Sequence, residues 1–206
     1  MVAINKRAVS PEQKALRRTQ ILAAAAEMFA AQPYEAVNLT ALAQTVGITK
    51  PALYRYFRGK EVLFLALFVQ ELGKLKQGFS GFDQPKDMGA AIARVFAEHP
   101  LYCRLSAILH TVLERDLTYD EALEFKRTLK SEVMEIGQVI AVALGTADAG
   151  LVFDKMVQVQ HALIGAWHMT HPVGAVKQVL ERDDMAIFGQ DFETSLAKHL
   201  RAILRL

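Results

Sequence analysis

The chain has 206 residues, 52% of them hydrophobic and 22% charged, with a formal net charge of +2. This composition excludes a disordered or fibrous chain and allows one large or two small domains with a sizeable core. A single cysteine, Cys103, excludes an internal disulfide and any multi-cysteine metal site, and a buried small hydrophobe is its expected role. No early apolar run reads as a signal peptide and none reaches the roughly 18 residues of a membrane span, so a cytoplasmic location is expected. The charge is uneven. Residues 1–60 hold nine Lys or Arg against three acids, and the remainder holds 15 against 19. A basic head on an acidic body is the electrostatic footprint of a nucleic-acid module.

Residues 1–10 are polar and basic and read as an arm, either a frayed end or a DNA contact. Ser10 followed by Pro11 starts a helix over Pro11–Ala31. Leu22, Ala25, Ala26 and Phe29 form its inward stripe. Arg17 and Arg18 are left near phosphate or on a solvated face. From Asn38 to Lys60 the sequence predicts two short helices around a sharp turn. Asn38 is a good N-cap, and Leu39, Leu42, Ala43 and Val46 share one helical face. Gly47 can take the left-handed conformation that ends a helix. Thr49 caps the second helix, and Pro51 sits in its first turn, where the missing N–H costs nothing. Leu53 and Phe57 face inward, leaving Lys50, Ala52, Tyr54 and Tyr56 outside. This is an ordinary helical hairpin or a helix-turn-helix, whose second helix enters the DNA major groove. The basic head favours the latter.

Leu42-Ala43, Gly47-Ile48-Thr49, Leu53-Tyr54, Tyr56-Phe57 and Lys60-Glu61 stand in an order and spacing that resembles the tetracycline-repressor (TetR) family of bacterial transcription regulators. The resemblance covers about residues 15–65. Gln32-Pro33 replaces a frequent loop glycine, and Asn38 replaces a frequent threonine; neither harms the motif, since Asn caps as well as Thr does. The resemblance implies an all-α fold, with a three-helix DNA-binding domain at 1–59 and a helical ligand-binding and dimerisation domain at 60–206. It also implies roles at double-stranded DNA. Lys50 and Tyr54 reach base edges or adjoining phosphates, and Thr40 contacts backbone or a base. Pro51 and Ala52 offer apolar contact to a thymine methyl. Tyr56 and Lys60 clamp phosphates, which fixes register without reading sequence.

A fourth helix starts near Lys60 and reaches about Phe79. Val62 to Val69 are apolar around its whole circumference, the pattern of a helix buried on several sides. Further helices are predicted at about 87–97, 100–113, 119–144, 149–171 and 187–206, with Asp87 and Asp148 as N-caps and Gly145 as a stop. Residues 172–186 permit a short helix. The helices near 149–171 and 187–206 carry apolar stripes, the latter Phe188, Phe192, Leu196, Leu200 and Ile203. They serve either the protomer's own core or, as the resemblance implies, a homodimer that reads a palindrome. The body has more apolar helix than a dimer clamp needs, and it could enclose a cavity for a small apolar effector. Candidates for its lining are Tyr102, Leu105, Leu109, His110, Phe125, Gln160 and Trp167, each of which could equally be plain core.

No phosphate loop, metal-ligand spacing or nucleophile–base pattern is legible, so no catalytic residue, cofactor or metal is expected. His161, His168 and His171 could share a face and hold zinc, but no acidic or cysteine partner adjoins them. His110 and Glu114 read as a surface i, i+4 contact rather than an acid–base pair. The expected function is a ligand-responsive, sequence-specific DNA-binding regulator, a repressor released from a palindromic operator. The alternatives are a helical adaptor that turns the basic head on a protein, and a small all-α enzyme.

Overall fold

The computed structural model describes residues 10–80, 82 and 85–205. The arm expected at 1–10 lies outside these residues except for Ser10. All regular structure among them is helical. Helix α1, Pro11–Ala31, opens with a reciprocal capping box between Ser10 and Gln13 and has Pro11 in its first turn. A 3-10 turn, Tyr34–Ala36, leads to α2, Leu39–Thr45. After Gly47 comes α3, Lys50–Leu53, which is shorter than the sequence pattern suggests. The chain from Tyr54 to Tyr56 is a turn in which Leu53 O accepts from both Tyr56 N and Phe57 N. That turn drops Phe57 into the core, where it is 2% exposed.

Helix α4, Lys60–Gly78, joins head to body and buries Leu63, Phe64, Leu65, Leu67, Phe68, Leu72 and Leu75. Burial on several sides accounts for its all-round apolar sequence. The body continues with α5, Met88–Ala97, and α6, Pro100–Ile108. The helix expected over 100–113 is not α-helical throughout. From Leu109 to Leu113 it widens into a π segment, which offsets side chains relative to a straight helix and often marks a functional site. Helix α7, Tyr119–Leu144, begins with a Thr118–Glu121 capping box and stops at left-handed Gly145. Helix α8, Ala149–Thr170, is capped by Asp148 and bends away from α7 by 104°. Residues 172–186 form a short α9, Gly174–Leu180, and the start of a 3-10 helix, Asp183–Phe188. The last helix, α10, Phe192–Ile203, starts later than expected, because Asp191 rather than an earlier residue caps it. Phe188 therefore lies outside it and is 60% exposed.

The expected dimer stripe on α10 is largely spent inside the protomer. Leu196 and Leu200 are fully buried, and α10 packs closely on α5 at Gly89. An open groove between α8 and α10 is lined by Ala162, Gly165, Met169, Ser195 and His199. Cys103 is buried with its thiol directed at Phe96 O, 3.3 Å away; burial pushes its pKa up to about 12. Among the described residues no single helix is long and apolar enough to cross a membrane.

Candidate functional site

The head is assembled by short local contacts. Asn38 Oδ1 accepts from Thr40 N at 2.7 Å and Ala41 N at 3.3 Å, which satisfies the free end of α2. Gly47 takes φ +68°, and Thr49 Oγ1 accepts from Ala52 N at 3.3 Å to start α3. Leu42, Ala43 and Leu53 are at most 1% exposed. They lock α2 and α3 against α1.

The outer surface of the motif presents Thr40, Lys50, Pro51 and Tyr54, all exposed. Ala52 and Tyr56 are half-buried rather than fully outward, because the turn after α3 rolls that side toward the core. Arg55, which motif reasoning passed over, is exposed beside Tyr54. Its sequence signal was only its charge.

Three further cations, Arg17, Arg18 and Lys60, are engaged within the molecule. Arg17 is 6% exposed and donates to Val46 O, the carbonyl that ends α2, at 2.7 Å. Arg18 lies 4.3 Å over the Phe57 ring and donates to Tyr56 O at 3.3 Å; its pKa is lowered by burial. Arg17 is thereby buried, whereas Arg18 stays exposed. Lys60 also departs from expectation. Its ammonium donates to Tyr34 O and, at 3.5 Å, to Glu35 O. It sits 4.2 Å from the Tyr34 ring, and burial lowers its pKa. In this arrangement Lys60 ties the 3-10 turn to α4 instead of standing open to a phosphate.

Two arginines fasten head to body. Arg58 binds both carboxylate oxygens of Glu121, at 2.6 and 2.7 Å, and donates to Asp116 O at 2.9 Å. The Arg58 guanidinium, together with Thr118, holds the Glu121 carboxyl down at about 2. Arg104 on α6 reaches the end of α1, donating to Phe29 O, to Ala30 O at 3.3 Å and to Gln32 O at 2.9 Å. It also lies 4.2 Å over the Phe29 ring. A cation at the C-terminus of α1 satisfies carbonyls that the helix itself leaves unpaired.

The body encloses a cavity of about 220 Å³ between α4, α5, α6, the π segment, α7 and α8. Of the lining expected from sequence, Tyr102, Leu109, His110 and Gln160 face it, while Leu105, Phe125 and Trp167 do not. Leu105 is fully buried core. Phe125 packs edge-on against Phe68, with ring centres 6.1 Å apart. Trp167 stacks on His171 at 3.7 Å and meets Phe192. The wall that sequence reasoning missed is mainly α4 (Phe68, Leu72, Leu75, Phe79) and the inner face of α7 (Leu129, Val133, Ile136, Ile140). The all-round apolar run of α4 was the available signal.

The histidines disperse. His161 lines the α8–α10 groove, His168 meets Ala107 O at 3.3 Å, and His171 lies on Trp167. His110 and Glu114 make the i, i+4 contact at 3.2 Å, and Glu114 also takes Lys126 at 2.7 Å.

Family profiles cover most of the chain. Residues 21–67 match the bacterial regulatory proteins of the tetR family, and residues 65–205 match the tetracyclin repressor-like C-terminal domain. The chain belongs to the tetR family. Among curated relatives, this tetR-family chain is 36% identical over 97 residues to nucleoid occlusion factor SlmA of Marinomonas sp., covering 43% of this chain and 49% of that protein. It is 37% identical over 62 residues to the HTH-type transcriptional activator FasR of Mycolicibacterium smegmatis, covering 30% and 28%. The chain thus spans half or less of the length of these relatives. Its fold is that of a tetR-family transcriptional regulator from Streptomyces coelicolor, with a TM-score of 0.58 at 16% identity over 95% of this chain and 82% of that one.

Proposed function

We propose that this tetR-family protein is a homodimeric transcription regulator that binds a palindromic operator and is released from it by a small apolar effector. The observation that carries the reading is the outer face of α2 and α3. There Thr40, Lys50, Pro51 and Tyr54 stand exposed on a frame that Arg17 and Arg18 brace. In this reading Lys50 and Tyr54 reach base edges, Thr40 meets the backbone, and Pro51 with Ala52 touches a thymine methyl. Tyr56 and exposed Arg55 contact phosphate. Lys60 contributes by holding the Tyr34 turn in place. The open face of α8 and α10 joins two copies, because one reading helix covers only a half-site.

The effector reading is supported by the position of the cavity. Tyr102 lines it, and Arg104, two residues on, holds the end of α1. A molecule that binds better to the arrangement with misplaced heads must weaken DNA binding, and DNA must weaken its binding equally. The matched part of the head is shared with an activator, so the sign of regulation follows from where the operator lies. Repression is the outcome where the dimer covers a promoter.

Selection of bound duplexes from a random pool at near-physiological salt tests the DNA reading, and a recovered palindrome is the expected result. On that site, Lys50→Ala lowers affinity and reduces the salt slope by about one if the ammonium contacts phosphate. Tyr54→Ala changes which sequences bind. Recovery of no common sequence, or no effect of either substitution at several salt concentrations, rejects the assignment in favour of a protein-binding adaptor.

A further inference from the structure

The cavity in the body is unusual in what its walls lack. Among the described residues no aspartate or glutamate lines it, so a cationic ligand would find no counter-charge in these walls. One lysine lines it, Lys155, and its ammonium is already engaged: it donates to Ile203 O and, at 3.2 Å, to Arg205 O at the end of α10. That helix terminus carries partial negative charge, which offsets the ammonium. Two of its three N–H donors are thus spent, and an anionic head group would gain only the third while giving up its own hydration. His110 stands exposed at the rim with Nδ1 on Glu114. Tyr102 is buried and its phenol stays protonated, because burial raises its pKa to about 12. Gln160 differs from these groups. It lines the cavity half-buried, and its side-chain amide makes no hydrogen bond to another described residue. The Tyr102 phenol is also neutral but is 6% exposed, so the half-buried Gln160 amide, with both a donor and an acceptor, is the more accessible group to recognise something polar.

We infer that the cavity takes an uncharged, mainly apolar molecule of about ten non-hydrogen atoms, with one hydrogen-bonding group set against Gln160. The size follows from the volume of about 220 Å³, against the roughly 150 Å³ apolar cavity known to hold benzene. Flexible Met156 and the rings of Phe68, Phe79 and Phe96 form the apolar bed. The inference rests on the effector reading of the cavity for its consequence at DNA, and its own test needs no DNA.

Calorimetric titration of the full-length protein at pH 7 with 1-octanol, octanoate and octylammonium compares one chain length under three head groups. Octanol is expected to bind at least tenfold more tightly than either ion. Gln160→Leu is expected to weaken octanol about three- to tenfold, the span of one neutral hydrogen bond, and to leave toluene unaffected. Met156→Trp, which fills the cavity, abolishes binding of both neutral probes. Octanoate binding as tightly as octanol, indifference of octanol to Gln160→Leu, retained binding in Met156→Trp, or no binding of any probe each overturns the inference. An operator affinity that bound octanol leaves unchanged overturns the effector reading instead, and the charge preference of the cavity stands.

Discussion

The head and the body of this molecule share an apolar core but differ in what surrounds it. In the head, polar groups fix the ends and turns of helices whose inner faces are apolar. Asn38 and Thr49 cap the two motif helices, Arg17 holds the carbonyl between them, and Lys60 holds the preceding turn. In the body, ion pairs such as Lys76 with Glu132 and Arg201 with Asp87 lie at the margins, and the apolar inner faces leave a space of about 220 Å³. Directional bonds set one geometry, as a surface that must match a duplex requires. Apolar contacts tolerate repacking, which suits a region that must accommodate a guest. The two regions therefore differ in how they fail.

Arg17→Ala should produce the largest change. It leaves Val46 O without its buried charged donor and is expected to cost about 2–3 kcal/mol, read by denaturant unfolding, with operator affinity falling and octanol binding kept. A variant as stable as the parent would show that the head does not depend on this bond. Gly89→Ala attacks the body. A Cβ there would lie 2.6 Å from Arg201 N on α10, a backbone atom that cannot swing aside. Overpacking of this kind costs about 2 kcal/mol, and the α5–α10 amides should exchange faster while those of α1 do not. Gly47→Ala meets no neighbour within 4 Å, so its cost is the backbone strain at φ +68° alone, about 1 kcal/mol. A larger loss would mean that more than the turn is disturbed.

The smallest effect is the titration of Glu121. Its folded pKa of about 2 lies below the ordinary 4.5. The stability it contributes is thus complete above about pH 4.5 and is lost as pH falls toward 2. Arg58 is 56% exposed at its side chain, so screening keeps the effect slight and salt-sensitive. Glu121→Gln should flatten the acid limb of a Tm-versus-pH curve within that window, and an unchanged curve would remove this pair from the acid response.

What was legible in the sequence was local. Ser10-Pro11, Asn38, Gly47, Thr49-Pro51, Asp87, Gly145 and Asp148 act on the backbone within a few residues of themselves, and each marks a boundary found in the structure. The destinations of long side chains were not legible. Arg17 meets Val46 across 29 residues, Arg58 meets Glu121 across 63 and Arg104 meets Gln32 across 72. A charge in sequence says nothing of which carbonyl it will find. That is why Lys60 and Arg17 looked like phosphate contacts, and why Trp167 looked like a cavity wall. The π segment was also hidden, since Leu109 to Leu113 continue an ordinary helical pattern.

The grip of Arg104 on α1 bears on how this protein could be taken apart. A cut between residues 59 and 60 looks natural in the sequence, yet it would strand the Phe29, Ala30 and Gln32 carbonyls that Arg104 completes. The head thus borrows part of the last turn of α1 from the body. A chimera whose new host supplies no such donor is expected to leave these carbonyls to water and to fray the end of α1.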